Sequence, residues 1–116
     1  MAYHRSVLND LGVLRAIDLA GVGNGAYVRI AGAVIARQRP GTAKGFVFLS
    51  LEDETGISNA IITPDLFAQT RFTVVGGKFL LIEGRLQNVD NVISVKAARV
   101  KTLPVSEAAV ASHDFH

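Results

Sequence analysis

Glu52, Asp53 and Glu54 form the densest cluster of carboxylates in this 116-residue chain, and paired carboxylates can carry general acid–base chemistry. They adjoin Gly56, so a tight turn with one carboxylate capping backbone amides accounts for them more simply. The histidines, His4, His113 and His116, sit at the two ends, far from any carboxylate cluster and without metal-ligand spacing. The chain has no cysteine, which excludes disulfides, thiolate zinc sites and thiol nucleophiles together. "GVGNGA", residues 21–26, spells the letters of a dinucleotide fingerprint, yet it precedes a strand pattern instead of opening a helix. No catalytic residue, metal site or cofactor is expected.

The remaining signal is basic and aromatic. In "RQRPGTAKGFVF" the cations Arg37, Arg39 and Lys44 stand beside Phe46 and Phe48, with Pro40 stiffening the loop and Gly41 and Gly45 allowing close approach. Single-stranded nucleic acid is held by cations along its phosphates and by rings that stack on its bases, each stack contributing about 1–3 kcal/mol. The competing reading is a solvated loop with at least one phenylalanine in the core. A formal charge of +2 and a pI near 9.3 permit such a partner without demanding it.

These residues need elements to position them. A composition 49% hydrophobic and 19% charged is that of a folded domain. The N-terminus shows no basic-then-apolar leader and no apolar run nears a membrane span, so no membrane partner and a cytoplasmic location are expected. Apolar spacing from Ser6 to Leu19 predicts short helical turns broken at Gly12, within a lead-in over 1–25. Strands are predicted at Tyr27–Arg37, Phe46–Asp53, Ile57–Ile62, Lys78–Leu86 and Val92–Arg99. Gly32 marks a bend in the first of these. Thr63, Pro64 and Asp65 predict the start of a helix over "TPDLFAQTRF", in which Phe67 and Phe72 read as a plug for the barrel. "QNVDN" reads as a hairpin connection, and 104–116 as a flexible tail.

Five strands with a helix between the third and fourth follow the element order of an all-β OB-fold, a five-stranded Greek-key barrel, here spanning 26–103. OB-folds bind oligonucleotides on the second and third strands, between the loops joining strands one to two and four to five. The second strand turns Val47, Leu49 and Leu51 to one face and Phe46, Phe48 and Ser50 to the other. The reverse assignment, with Val47, Leu49 and Leu51 outside and buried under the N-terminal turns, is also open. Arg29, Arg85 and Lys96 fall on faces turned from the core and complete the candidate surface.

"VRIAGAVIARQRPGTAKGFVFLSLEDETGISNAIITPDLF", followed by "GGKFLLIEGRLQ", resembles the C-terminal OB domain of bacterial C-family DNA polymerases, the DNA polymerase III alpha-subunit type. "RQRPGTAKG", "LEDETG" and the closing "DFH" are most similar to the error-prone branch of that family. The resemblance covers Val28 to Leu103 well and the residues before it loosely. It implies an accessory module that binds single-stranded DNA near the template in replication and damage repair, through Arg37, Arg39, Lys44, Phe46 and Phe48. The family's catalytic aspartates have no counterpart here. Thr63 departs from the family pattern, which favours a larger residue, often tryptophan, before the proline. Two other functions stay open: docking to polymerase or repair proteins, motivated by Leu8, Leu11 and Leu14 on the lead-in, and RNA binding of the anticodon type.

Overall fold

Alternation of apolar and polar residues builds five strands: β1 (Tyr27–Gln38), β2 (Val47–Asp53), β3 (Gly56–Ile62), β4 (Phe79–Val89) and β5 (Val92–Thr102). They belong to a computed structural model that describes residues 8–9, 12–39 and 44–103. One helix, α1 (Pro64–Gly76), lies between β3 and β4. The strands close into a barrel in the order β1-β2-β3-β5-β4, with β4 paired back onto β1. All pairs are antiparallel except β3 with β5. This is the OB-fold expected from the element order.

The inward positions make the core. Val28 and Ile30 of β1, Val47, Leu49 and Leu51 of β2, Ala60 and Ile62 of β3, Leu80, Ile82 and Leu86 of β4, and Val95 and Ala97 of β5 form one buried cluster. Phe67 and Val74 of α1 join it. The reading that put Val47, Leu49 and Leu51 outside is therefore overturned.

β1 serves two neighbours in succession. Tyr27 to Ala33 pair with β4, and Ala33 to Gln38 pair with β2. Gly32 sits at this changeover, where a β-carbon would lie 2.6 Å from the Glu52 carbonyl oxygen. Gly84 plays the same part on β4, beside a bulge opposite Ala97, where a β-carbon would run into the Lys96 carbonyl.

The first four residues of β4, Phe79 to Ile82, are buried on both faces. The outward Phe79 and Leu81 pack with Ala31, Leu8, Val13 and Leu103 in a second cluster outside the barrel. Leu8 and Val13 of the lead-in thus pack on β1 and β4, and Leu8 is fully buried while Leu14 is half-buried. Leu11 and the tail from Pro104 fall outside the described residues. Leu8, being buried, no longer argues for a protein-docking patch. The lead-in is tied down further by a 3-10 turn at Ala16–Gly21 and by Asp53. The buried Asp53 carboxylate accepts from the Ala16 N–H at 2.7 Å, and from the Thr55 N–H, the Thr55 hydroxyl and the Gly56 N–H at 2.7, 2.8 and 3.1 Å. The acidic turn is a structural clasp.

Among the described residues, no helix is long and apolar enough to cross a membrane.

Candidate nucleic-acid interface

Register decides which outward side chains become neighbours, because residues paired across strands share a face. Following the pairs around the barrel, Gln38 faces Phe48, Phe48 faces Ile61, Ile61 faces Lys96, Lys96 faces Arg85, and Arg85 faces Tyr27. A continuous outer row therefore runs from a ring through an aliphatic side chain and two cations to a second ring. Phe48 is 36% exposed and Tyr27 49% exposed, so both rings present area to solvent. The Arg85 guanidinium lies 5.4 Å from the Tyr27 ring centroid and donates to the Gly25 carbonyl at 3.2 Å.

Beside Phe48 lies a groove of about 310 Å³, floored by Ser50, Asn59, Ile61 and Ser94 and walled by Gln38 and Val92. The Ser50 hydroxyl donates to Asn59 Oδ1 at 3.1 Å across β2 and β3. The outer wall comes from the β4–β5 hairpin, which turns at Asp90 and Asn91 with φ of 54° and 65°. Two successive positive φ values make a primed turn, the kind that matches the twist of paired strands. The strands accordingly run longer than "QNVDN" suggested and project Val89 and Val92, 64% and 66% exposed. An apolar and polar cleft beside an open ring can hold a base by stacking and by contact with its edges.

The candidate cations divide among four places. Lys96 and Arg85 stand in the row with Phe48. Arg37 and Arg39 alternate away from Gln38 and reach α1. Arg37 donates from Nε to the Val74 carbonyl at 2.7 Å and from a terminal nitrogen to the Gly77 carbonyl. Arg39 lies over the Phe67 ring, 4.9 Å from its centroid. Lys44 is exposed in a turn at φ 53°, next to the half-buried Phe46. The loop residues 40–43 lie outside the described residues.

Arg29 is elsewhere. Its Nε lies 3.5 Å from the Glu83 carboxylate, at a depression of about 630 Å³ lined also by Gln69, Thr70, Arg99 and Lys101. That depression is the larger one, but it carries Glu83 and no aromatic side chain, so it offers no stacking surface. The structure thus brings together Phe48, Lys96 and Arg85, and keeps Arg29 and Arg37 apart from them. Ile61, Val92 and Tyr27 were not singled out in the sequence, and the register adds them to the candidate surface. The signal for Ile61 was an apolar side chain on the polar side of β3, between Ala60 and Ile62 of the core.

A barrel of this topology, with an outer row of rings and cations, is a nucleic-acid-binding architecture. The chain belongs to the family of OB-fold nucleic acid binding domains (tRNA anti-codon type), whose model matches residues 28–103. It is similar to the error-prone DNA polymerase of Caulobacter vibrioides, 48% identical over 103 residues, which is 89% of this chain and 10% of that protein. It is also similar to the error-prone DNA polymerase of Anaeromyxobacter sp. strain K, 42% identical over 117 residues, 100% of this chain and 10% of that protein. The chain therefore spans about a tenth of the length of the curated relatives it matches. These relatives bear out the likeness to the error-prone branch read from "RQRPGTAKG" and "LEDETG". Among solved structures, the OBody AM3L15 bound to hen egg-white lysozyme shares the fold. Its TM-score is 0.64 at 13% identity, over 79% of this chain and 94% of that one.

Proposed function

We propose that this domain binds single-stranded DNA across the outer face of β2, β3 and β5, with little sequence preference. On this reading it is the strand-holding module of an error-prone DNA polymerase and acts in the cytoplasm during repair synthesis. Polymerisation itself belongs to parts of such proteins outside the tenth matched here. The observation that carries the reading is the row in which the open ring of Phe48 is followed by Lys96 and Arg85. A base stacks on Phe48 against the groove of Ser50 and Asn59, while neighbouring phosphates meet Lys96 and Arg85, and Arg39 and Lys44 stand at the rim. The relatives' name supports DNA as the ligand, and the family supports nucleic acid in general.

The test is a titration of labelled oligothymidylate against the whole chain at several salt concentrations. Binding should weaken with salt, with a slope near −0.7 per neutralised phosphate. Phe48→Ala should lose about 1–3 kcal/mol of affinity, the range for one base–aromatic stack. Salt-independent binding, or an unchanged Phe48→Ala variant, sinks the reading. Tighter binding of the matched oligouridylate would reassign the ligand to RNA.

A further inference from the structure

Arg71 lies on α1, away from the basic loop and the strand faces, yet its guanidinium shares a ring with Arg39. The two guanidinium carbons lie 4.9 Å (Arg39) and 5.6 Å (Arg71) from the Phe67 centroid. Phe67 is 6% exposed, so the core holds the ring still, and both guanidiniums lie over it. Two like charges on one ring repel each other, and no carboxylate among the described residues pairs with either. Arg37 supplies the contrast, because its charge ends on the Val74 and Gly77 carbonyls of the same helix.

A second observation points the same way. Phe72, the next residue after Arg71, is 91% exposed, where phenylalanine is ordinarily buried. It was expected to plug the barrel and instead faces solvent. Two cations with no carboxylate partner among the described residues, and an open ring one position further along the same helix, are the kinds of group that unpaired nucleic acid uses. An apolar protein partner would use the ring but not the guanidinium pair. Arg39 directly follows Gln38, which lines the Phe48 groove, but points to the other side of the chain, so a strand leaving that groove reaches Arg39 by passing around the end of β1.

We infer that α1 carries a further contact for the same strand, a phosphodiester held between Arg39 and Arg71 with an adjacent base on Phe72. This rests on the reading of the barrel as a strand-binding domain. The ligand is the sugar–phosphate backbone and any base, without sequence readout.

The experiment uses the whole chain and a labelled oligothymidylate of about 15 nucleotides, near the upper site size of one such barrel. Arg71→Ala and Arg39→Ala should each reduce the salt slope by about 0.7, whereas Arg71→Lys should keep it. Phe72→Ala should weaken binding at least about fivefold at fixed salt with the slope unchanged. Arg71 and Phe72 are exposed, so thermal unfolding should match the parent and exclude a folding defect. If Arg71→Ala and Phe72→Ala bind with parental affinity and slope while Phe48→Ala is weakened, the α1 contact is overturned and the groove reading stands. If the unaltered chain binds no oligonucleotide at low salt, both fall.

Discussion

Arg37 and Arg39 stand two positions apart at the end of β1, and their side chains meet different parts of one helix. Arg37 donates to carbonyls at the C-terminal end of α1, where backbone acceptors lack helical partners and the helix dipole favours a cation. We therefore propose that Arg37 serves stability more than DNA contact. Replacing it by methionine, which keeps the stem but not the donors, should lower the unfolding free energy by about 1–2 kcal/mol. A urea titration would show this as a lower midpoint at unchanged slope. A loss of DNA affinity equal to that of Arg39→Ala, at parental stability, would return Arg37 to the interface. The composition of the loop was legible in the sequence, and strand alternation already separates Gln38 from its two neighbours. Where a long side chain ends was not legible, because that depends on how the last turn of α1 sits against β1.

The elements divide in the same way between local and tertiary causes. The start of α1 was legible because its chemistry is local: the Thr63 hydroxyl accepts from the Leu66 N–H at 3.3 Å, Pro64 follows, and Asp65 lies in the first turn. Its end was not. Thr70 departs from helical geometry at φ −122° and ψ 20°, with its hydroxyl bonded to the Leu66 carbonyl at 2.7 Å. That bond competes with the helical ladder. The helix continues nonetheless to Gly76, since Val74 is fully buried in the barrel. Burial of one side chain outweighs a local preference that the sequence does show. The cap also gives threonine a role at the position where the family resemblance led to the expectation of a larger residue. Thr63→Ala should cost about 1 kcal/mol, and Thr63→Ser should restore most of it, as read by thermal unfolding. Equal stability of the alanine and serine variants would remove the cap from the account.

At the scale of the whole molecule, the interface depends on closure. The row that links Phe48 to Arg85 exists only because β3 pairs with β5 and β5 with β4 in one register, and sequence patterns specify faces but not which strands meet. The fold was legible from element order and from Gly32, while the row needed the register. Closure in turn depends on two places where backbones approach too closely for any side chain. At Gly84 an added β-carbon would meet the Lys96 carbonyl and lie 2.8 Å from its carbon and 2.9 Å from Ala97 Cα. These are backbone atoms of the paired strand and cannot swing aside. Gly84→Ala should therefore destabilise by about 3 kcal/mol or more, toward the upper range of single substitutions. Gly76 provides the internal comparison, since it lies at the end of α1 and its added β-carbon would meet nothing within 4 Å. Gly76→Ala should be neutral or stabilise by up to about 1 kcal/mol. Urea unfolding of the two variants separates a steric need for glycine from a general dislike of substitution. Because Gly84 neighbours Arg85 on β4, partial opening there should also disperse the Lys96–Arg85 pair and weaken DNA binding more than the single loss of Arg85. A Gly84→Ala protein that unfolds like the parent would mean that β4 and β5 tolerate separation, and the row would then not be set by closure.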